Sequence, residues 1–222
     1  MINILSIIIC LFTFLFSLYL LVREDYILFR KNVSLETVFN IAFIILLLGL
    51  ISARLFYVAF HFKRIFLNPL VFLHILNYPG LSLIGAIIGP LLVFLLYYRS
   101  KKLPLARLSD IFMLAFLFAL PFTLLPSIIT KNININFLIS IVFFILYIII
   151  SYIALRLFLK WKTQEGRIGV YILITFCCLS LAYHFLLDKT KIISIFSGEE
   201  LMLLLLLVFS LFLFIKQSLI KN

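Results

Sequence analysis

Asn77-Tyr-Pro-Gly-Leu-Ser-Leu-Ile-Gly-Ala-Ile-Ile-Gly-Pro90 enters an apolar helix through a Pro79-Gly80 turn. Its small residues Gly85 and Gly89 stand four apart, a spacing that lets another backbone or a lipid approach closely. Such a stretch has the character of a site's floor. The apolar run that it opens, Leu81 to Tyr98, is long enough to cross about 30 Å of hydrocarbon as a helix. The whole segment from Gly49 to Arg107 is organised around it.

The rest of the chain has the same solvent. With 66% hydrophobic residues, 12% charged residues and a mean hydropathy of +1.30, 222 residues cannot make a water-facing surface. The expected fold class is therefore all-α: a polytopic integral membrane protein, one transmembrane domain over 1–222. Seven runs are long enough to span: Ile2 to Val22, Val38 to Phe60, Leu81 to Tyr98, Ser109 to Ile129, Phe137 to Leu159, Ile168 to Leu187 and Leu201 to Ile215. Pro69 to Leu76 is too short and reads as an interfacial or re-entrant piece. Ile2 to Val22 lacks a basic n-region and a small-x-small cleavage site, so it is expected to remain as a span.

Orientation follows from Lys and Arg. Thirteen fall on one side: Arg23, Arg30, Lys31, Arg99, Lys101, Lys102, Arg107, Arg156, Lys160, Lys162, Arg167, Lys216 and Lys221. Five fall on the other, Lys63, Arg64, Lys131, Lys189 and Lys191. The positive-inside rule places the N-terminus outside and the C-terminus in the cytoplasm. The formal charge of +11 is thus assigned to topology and anionic headgroups, with no nucleic acid as partner. Cys10, Cys177 and Cys178 lie inside apolar runs and offer neither a disulfide framework nor a metal-ligand spacing. No metal and no cofactor is expected.

Few residues offer chemistry. Arg54 is the basic residue that lies well inside an apolar run, about six residues from the outer end of the second helix. Such a charge faces a protein interior, a water-filled cavity or a phosphate, or it snorkels over about 9 Å of helix rise to the outer interface. His184, in the sixth helix, is a candidate base, a bridge between helices or a neutral packing residue. His74 reads as an interfacial residue. Asp110 behind Leu108-Ser109 reads as the start of the fourth helix, its carboxylate complementing that helix's N-terminus.

Several short motifs together resemble the prolipoprotein diacylglyceryl transferase family. They are Gly49-Leu-Ile-Ser-Ala-Arg54-Leu-Phe-Tyr57, Asn68-Pro69, Gly80-Leu-Ser82-Leu-Ile-Gly85-Ala-Ile-Ile-Gly89 and Leu103-Pro104-Leu-Ala-Arg107-Leu-Ser-Asp110, in order and spacing. Lys31-Asn-Val-Ser34 looks like the family's loop between helices one and two, and Gly169 to Ile215 resembles its last two helices, so the family-like core runs over about 31–215. The resemblance implies an outward-facing cavity in the cytoplasmic (inner) membrane of a bacterium. In the family that cavity holds phosphatidylglycerol, and its diacylglyceryl group moves to the thiol of a lipoprotein signal cysteine with release of glycerol phosphate. Such a reaction asks for cations on the phosphate and a group that assists thiol deprotonation. Carried onto this chain, the resemblance implies lipid binding by Arg54, Tyr57, Gly80, Ser82, Gly85 and Gly89, with lipoprotein precursor signal peptides as further partners.

The family's reactive positions are occupied differently. Its His-Gly-Gly falls on Ile84-Gly85-Ala86, and its Gly-Arg-x-Gly-Asn falls on about Thr123-Leu124-Leu125-Pro126-Ser127. Its sixth-helix Arg and Glu fall on Ser180 and His184, and its extracytoplasmic head segment is replaced by the short Asn132 to Asn136 connection. Loss of the arginines removes the bidentate bonds and the charge that would hold a phosphodiester. The expectation is a member whose catalysis is impaired or absent. A relocated catalytic site would draw on Arg54 and His184, with Lys63, Arg64 or Lys131 at the rim. A phospholipid- or precursor-binding protein and a transporter are the alternatives.

Overall fold

A computed structural model of the chain describes residues 2–61, 81–82, 84–100, 104–129, 135–160, 166–187 and 198–219. Side chains are described over 5–61, 81–82, 84–92, 104–129, 136–160, 166–187 and 200–216. Among these residues the secondary structure is helical throughout: α1 (Ile2–Arg23), α2 (Tyr26–Arg30), α3 (Leu35–Phe60), α4 (Gly85–Ser100), α5 (Leu105–Ala119), a 3-10 turn (Leu120–Leu124), α6 (Leu125–Ile129), α7 (Ile135–Lys160), α8 (Arg167–Leu187) and α9 (Gly198–Leu219). Five spans among them are long and apolar enough to cross a membrane: Leu5–Arg23, Leu35–Phe60, Leu105–Ile129, Asn136–Lys160 and Arg167–Leu187. The expected third and seventh spans correspond to α4 and α9, whose side chains are described over part of their length. His74, Gly80, Asn68-Pro69 and the basic residues Lys63, Arg64 and Lys131 lie outside the described residues.

The chain divides into two compact units. One takes Met1–Leu35, Pro104–Ile195 and Leu204–Asn222, the other Glu36–Leu103 and Phe196–Leu203. In the first, α5 is the central helix and is buried nearly all round, through Leu108, Ile111, Phe112, Leu114, Ala115, Leu117 and Ala119. Helix α1 presents Phe14, Leu18, Leu21 and Val22 inward at helical spacing. Its other face, Leu5, Ile8, Phe12 and Phe16, is exposed, as expected of a wall that lipid covers.

The fourth span is not one straight helix from Ser109. It begins at Leu105 and breaks at Leu120–Leu124, because Pro121 has no N–H to give the carbonyl four residues back. That carbonyl, Leu117 O, lies 3.2 Å from Ser151 Oγ of α7. The same hydroxyl is 2.7 Å from Tyr147 O, so its single proton serves two acceptors. Within the turn, Thr123 Oγ1 donates to Leu120 O and Ser127 Oγ to Leu124 O, at 2.6 and 2.7 Å.

Helices α3 and α4 of the second unit meet through small residues. A Cβ added at Gly85 would come within 2.5 Å of Ser52 O and 2.7 Å of Ala53 Cα, both backbone. One added at Gly89 would lie 2.9 Å from Leu48 O. Ser52 Oγ bridges the pair by donating to Gly85 O at 2.7 Å, and Ser82 N donates to Ala53 O at 3.0 Å. Of the two roles open to the glycine pair, close approach of another backbone is the one observed.

Candidate functional site

The described members of the expected lipid-binding set, Arg54, Tyr57, Ser82, Gly85 and Gly89, lie where α3 and α4 touch. Arg54 is 1% exposed, so its charge is enclosed by protein rather than snorkelled to a surface. Its guanidinium carbon lies 5.7 Å from the centre of the Tyr57 ring one turn on, within cation–π range. Ser82 is 2% exposed, and its Oγ makes no hydrogen bond among the described residues. Ile84, which the resemblance places where the family has histidine, is 3% exposed and contributes only apolar surface. This end of the helix pair therefore offers one buried cation, one buried hydroxyl and an aromatic ring. A cation and a hydroxyl donor suit an anionic or ester oxygen, and the imidazole of His61 stacks on the Tyr57 ring with centroids 4.8 Å apart.

A second polar cluster lies in the first unit, beyond the C-terminal end of α5. Ser127 Oγ donates to Ser140 Oγ at 2.9 Å, and Ser140 Oγ lies 3.2 Å from the Tyr183 hydroxyl. Ser140 Oγ also donates to Asn136 O at 2.8 Å. The Tyr183 ring stands edge-on to Phe143, with centroids 5.2 Å apart, and edge-on to His184 at 6.3 Å. One turn down α8, Ser180 is buried. The 123–127 segment and the Ser180–His184 segment are thus in one neighbourhood. What meets there is a chain of hydroxyls with a half-buried imidazole at its edge. Hydroxyls at these distances bind one another and hold α6, α7 and α8 together.

The third cluster, at the opposite end of the first unit, is the most polar. Asp25 Oδ1 accepts from Ile27 N and Leu28 N at 2.9 and 3.0 Å, which caps the short helix α2. Its other oxygen takes Arg107 Nε at 2.8 Å and Nη2 at 2.6 Å. Arg107 is 1% exposed, and the Phe158 ring of α7 covers its guanidinium at 3.9 Å. One turn on, Asp110 Oδ2 accepts from Gly166 N and Oδ1 from Gly169 N, both at 2.7 Å. Asp110 does complement a helix N-terminus, but it is that of α8 rather than its own. Gly166 has φ 87, a left-handed conformation that suits glycine and turns its N–H toward the carboxylate. The ends of α1, α5, α7 and α8 that carry Arg23, Arg107, Lys160 and Arg167 all gather here, the grouping that the charge pattern assigns to one side.

Sequence reasoning singled out Arg54, His184 and Asp110 and passed over Asp25, Ser140 and Tyr183. Asp25 had a local signal: an acidic residue directly before a short apolar turn is a helix cap. Ser140 and Tyr183 had none, since hydroxyls in apolar helices are common and usually bond their own backbone. Among the described residues there is no group of three or more His, Cys, Asp or Glu placed to hold a metal.

Residues 3–125 match the family model of prolipoprotein diacylglyceryl transferase. No curated protein and no solved structure matches the chain.

Proposed function

Since the chain belongs to the prolipoprotein diacylglyceryl transferase family, which matches more than half of it, we propose that it is a member that keeps the scaffold and lipid-holding residues while diacylglyceryl transfer is impaired or lost. The observation that carries this reading is the hydroxyl chain Ser127–Ser140–Tyr183 beside His184. It occupies the neighbourhood where the resemblance calls for two guanidinium groups. A neutral hydroxyl supplies neither charge nor a bidentate fork to a leaving phosphate. Loss of a single transition-state donor costs about 10²–10³ in rate, and loss of several costs more, although not additively.

In this reading the protein holds phospholipid of the phosphatidylglycerol type, or a lipoprotein precursor, without turning it over. Arg54, Tyr57 and Ser82 form the lipid-holding end, and Gly85 and Gly89, which the resemblance counts with them, support it from behind by letting α4 approach α3; Gly80, the remaining member, lies outside the described residues. Its place is the cytoplasmic (inner) membrane of a bacterium, with seven spans, the N-terminus outside and the C-terminus in the cytoplasm. The spans observed, and the gathering of Arg23, Arg107, Lys160 and Arg167 at one end of the first unit, support that orientation. Reporter fusions after Lys31, Lys131 and Lys162 test the topology.

The enzymatic alternative is testable directly. Membranes holding the protein are incubated with labelled phosphatidylglycerol and a lipobox peptide, and a transferase-depleted bacterium is complemented in parallel. Label remaining at the vector level, with phospholipid or precursor co-purifying, supports the binding reading. Transfer above that level, abolished by Arg54→Ala, would replace it with the relocated site.

A further inference from the structure

Helix α2 has five residues, Tyr26–Arg30, too few to hold a helix together on their own, yet it is closed at both ends. Asp25 Oδ1 caps its start. At its other end Asn32 adopts φ 52, its N–H donates to Phe29 O, and Val33 N donates to Leu28 O, both at 3.1 Å. Such a pair of bonds around a left-handed residue is a complete C-terminal cap. Asp25 is itself held by Arg107 of α5, and Leu28 is 1% exposed. The short helix is thus fastened to the first unit by its cap and by one face.

The opposite face is left open. At about 100° per residue, Tyr26, Phe29 and Arg30 stand across the helix from Leu28. Tyr26 is 67% and Phe29 79% exposed, and Arg30 is exposed between them. The span before α2 ends at Arg23, so this face follows a membrane boundary by only three residues. Two aromatic rings with a guanidinium at that depth suit the layer where acyl esters meet phosphates: the rings enter the leaflet and the cation stays with the phosphate.

The charge around α2 has the matching sign. At this end of the first unit stand Arg23, Arg30, Lys31, Arg107, Arg156, Lys160 and Arg167, against Glu24, Asp25 and Asp110, with Glu36 next along the chain. Two of those carboxylates are taken up inside the protein, Asp25 by Arg107 and α2, and Asp110 by the N–H groups of Gly166 and Gly169. The connections that adjoin α5 and α7 add Lys101, Lys102 and Lys162 against Glu165. With every group counted the balance is positive. From this open face and this charge we infer that α2 is a docking helix for anionic phospholipid: Tyr26 and Phe29 enter the leaflet, and Arg30 takes the phosphate. The surface is separate in the chain from Arg54, Tyr57 and Ser82 and does not rest on their reading.

The test uses the full chain with Phe29→Trp, in a Trp161→Phe background that removes its one natural indole. Nanodiscs of phosphatidylcholine carry a titrated share of either phosphatidylglycerol or phosphatidylcholine brominated near the ester end of one acyl chain. The new indole is expected to emit as in an apolar medium and to be quenched by both, phosphatidylglycerol acting at about a fivefold lower mole fraction, the worth of one cation near an anionic surface. Arg30→Gln, at an exposed position, is expected to bring the two lipids within about twofold with the melting temperature held. Raised salt is expected to do the same by screening. Tyr26→Trp reads the same face if Phe29→Trp fails to fold. Emission as in water without quenching, equal quenching by the two lipids, or a preference that survives Arg30→Gln would overturn the inference. So would quenching that falls as protein copies per disc rise, which would mark a second copy of the chain on this face.

Discussion

Arg107 and Asp25, 82 residues apart in the chain, share a single carboxylate oxygen: Nε at 2.8 Å and Nη2 at 2.6 Å both point to Oδ2. The other oxygen is spent on two backbone N–H groups of α2. The carboxylate is thus a junction between a helix cap and a buried ion pair. Removing either partner strands the other charge in a low-dielectric site. Asp25→Ala and Arg107→Ala are each expected to destabilise the protein by about 3–5 kcal/mol, measured by thermal or denaturant unfolding in detergent. The double change Asp25→Asn with Arg107→Met is expected to cost less than either single change, since Asn still caps α2 and no charge is left behind.

Asp110 accepts from two backbone N–H groups, Gly166 N at Oδ2 and Gly169 N at Oδ1. Asp110→Asn leaves one oxygen to accept and sets an NH₂ against the second N–H. The expected loss is about 1.5–3 kcal/mol, the worth of a hydrogen bond to a charged group. Gly169→Ala places a Cβ 3.1 Å from Asp110 Oδ1, so it is expected to weaken the same contact and to be non-additive with Asp110→Asn. A double-mutant cycle on melting temperatures checks both.

Two glycines of the α3–α4 pair differ in what a methyl group would meet. At Gly85 it meets backbone of α3 at 2.5–2.9 Å, whereas at Gly49 it meets the Pro90 ring at 3.4 Å. Gly85→Ala is expected to cost about 1–3 kcal/mol by forcing the helices apart. Gly49→Ala is expected to be neutral or to stabilise by up to about 1 kcal/mol, the helix-propensity gain. The stabilities of the two variants, measured side by side, decide it.

Arg54 is the enclosed cation of the proposed lipid-holding end. Arg54→Ala is expected to lower the anionic phospholipid that co-purifies by about tenfold, and Arg54→Lys by less, because a charge remains without the planar fork. Extraction and mass spectrometry of lipid from equal amounts of folded protein give the ratio. Unchanged lipid content in Arg54→Ala would remove Arg54 from that role.

Much of the framework was readable from residues alone, and the reasons are local. Apolar runs of spanning length reappear as α1, α3, α5 to α6, α7 and α8, since a segment in lipid must satisfy its own backbone. The four-residue spacing of Gly85 and Gly89 announced close approach. Pro121 and Pro126 interrupt a run whose hydropathy is unbroken, so hydropathy alone draws it as one helix where the backbone tightens into a 3-10 turn. Asp110 illustrates a different limit. A carboxylate early in a helix looks the same in sequence whether it faces its own N-terminus or another helix's, and only the position of Gly166 and Gly169 separates the two. The Ser127–Ser140–Tyr183 chain was illegible for the same reason, because its members lie on three helices.

The junction at Asp25 also bears on how the chain is made. Asp25 leaves the ribosome 82 residues ahead of Arg107, which at about 5–20 residues per second is roughly 4–16 s of synthesis. During that interval the carboxylate that follows α1 has no cation from α5. The first helix is therefore anchored late, from the middle of the chain. A ribosome stalled before Arg107 would hold a segment whose Asp25 end is still untied.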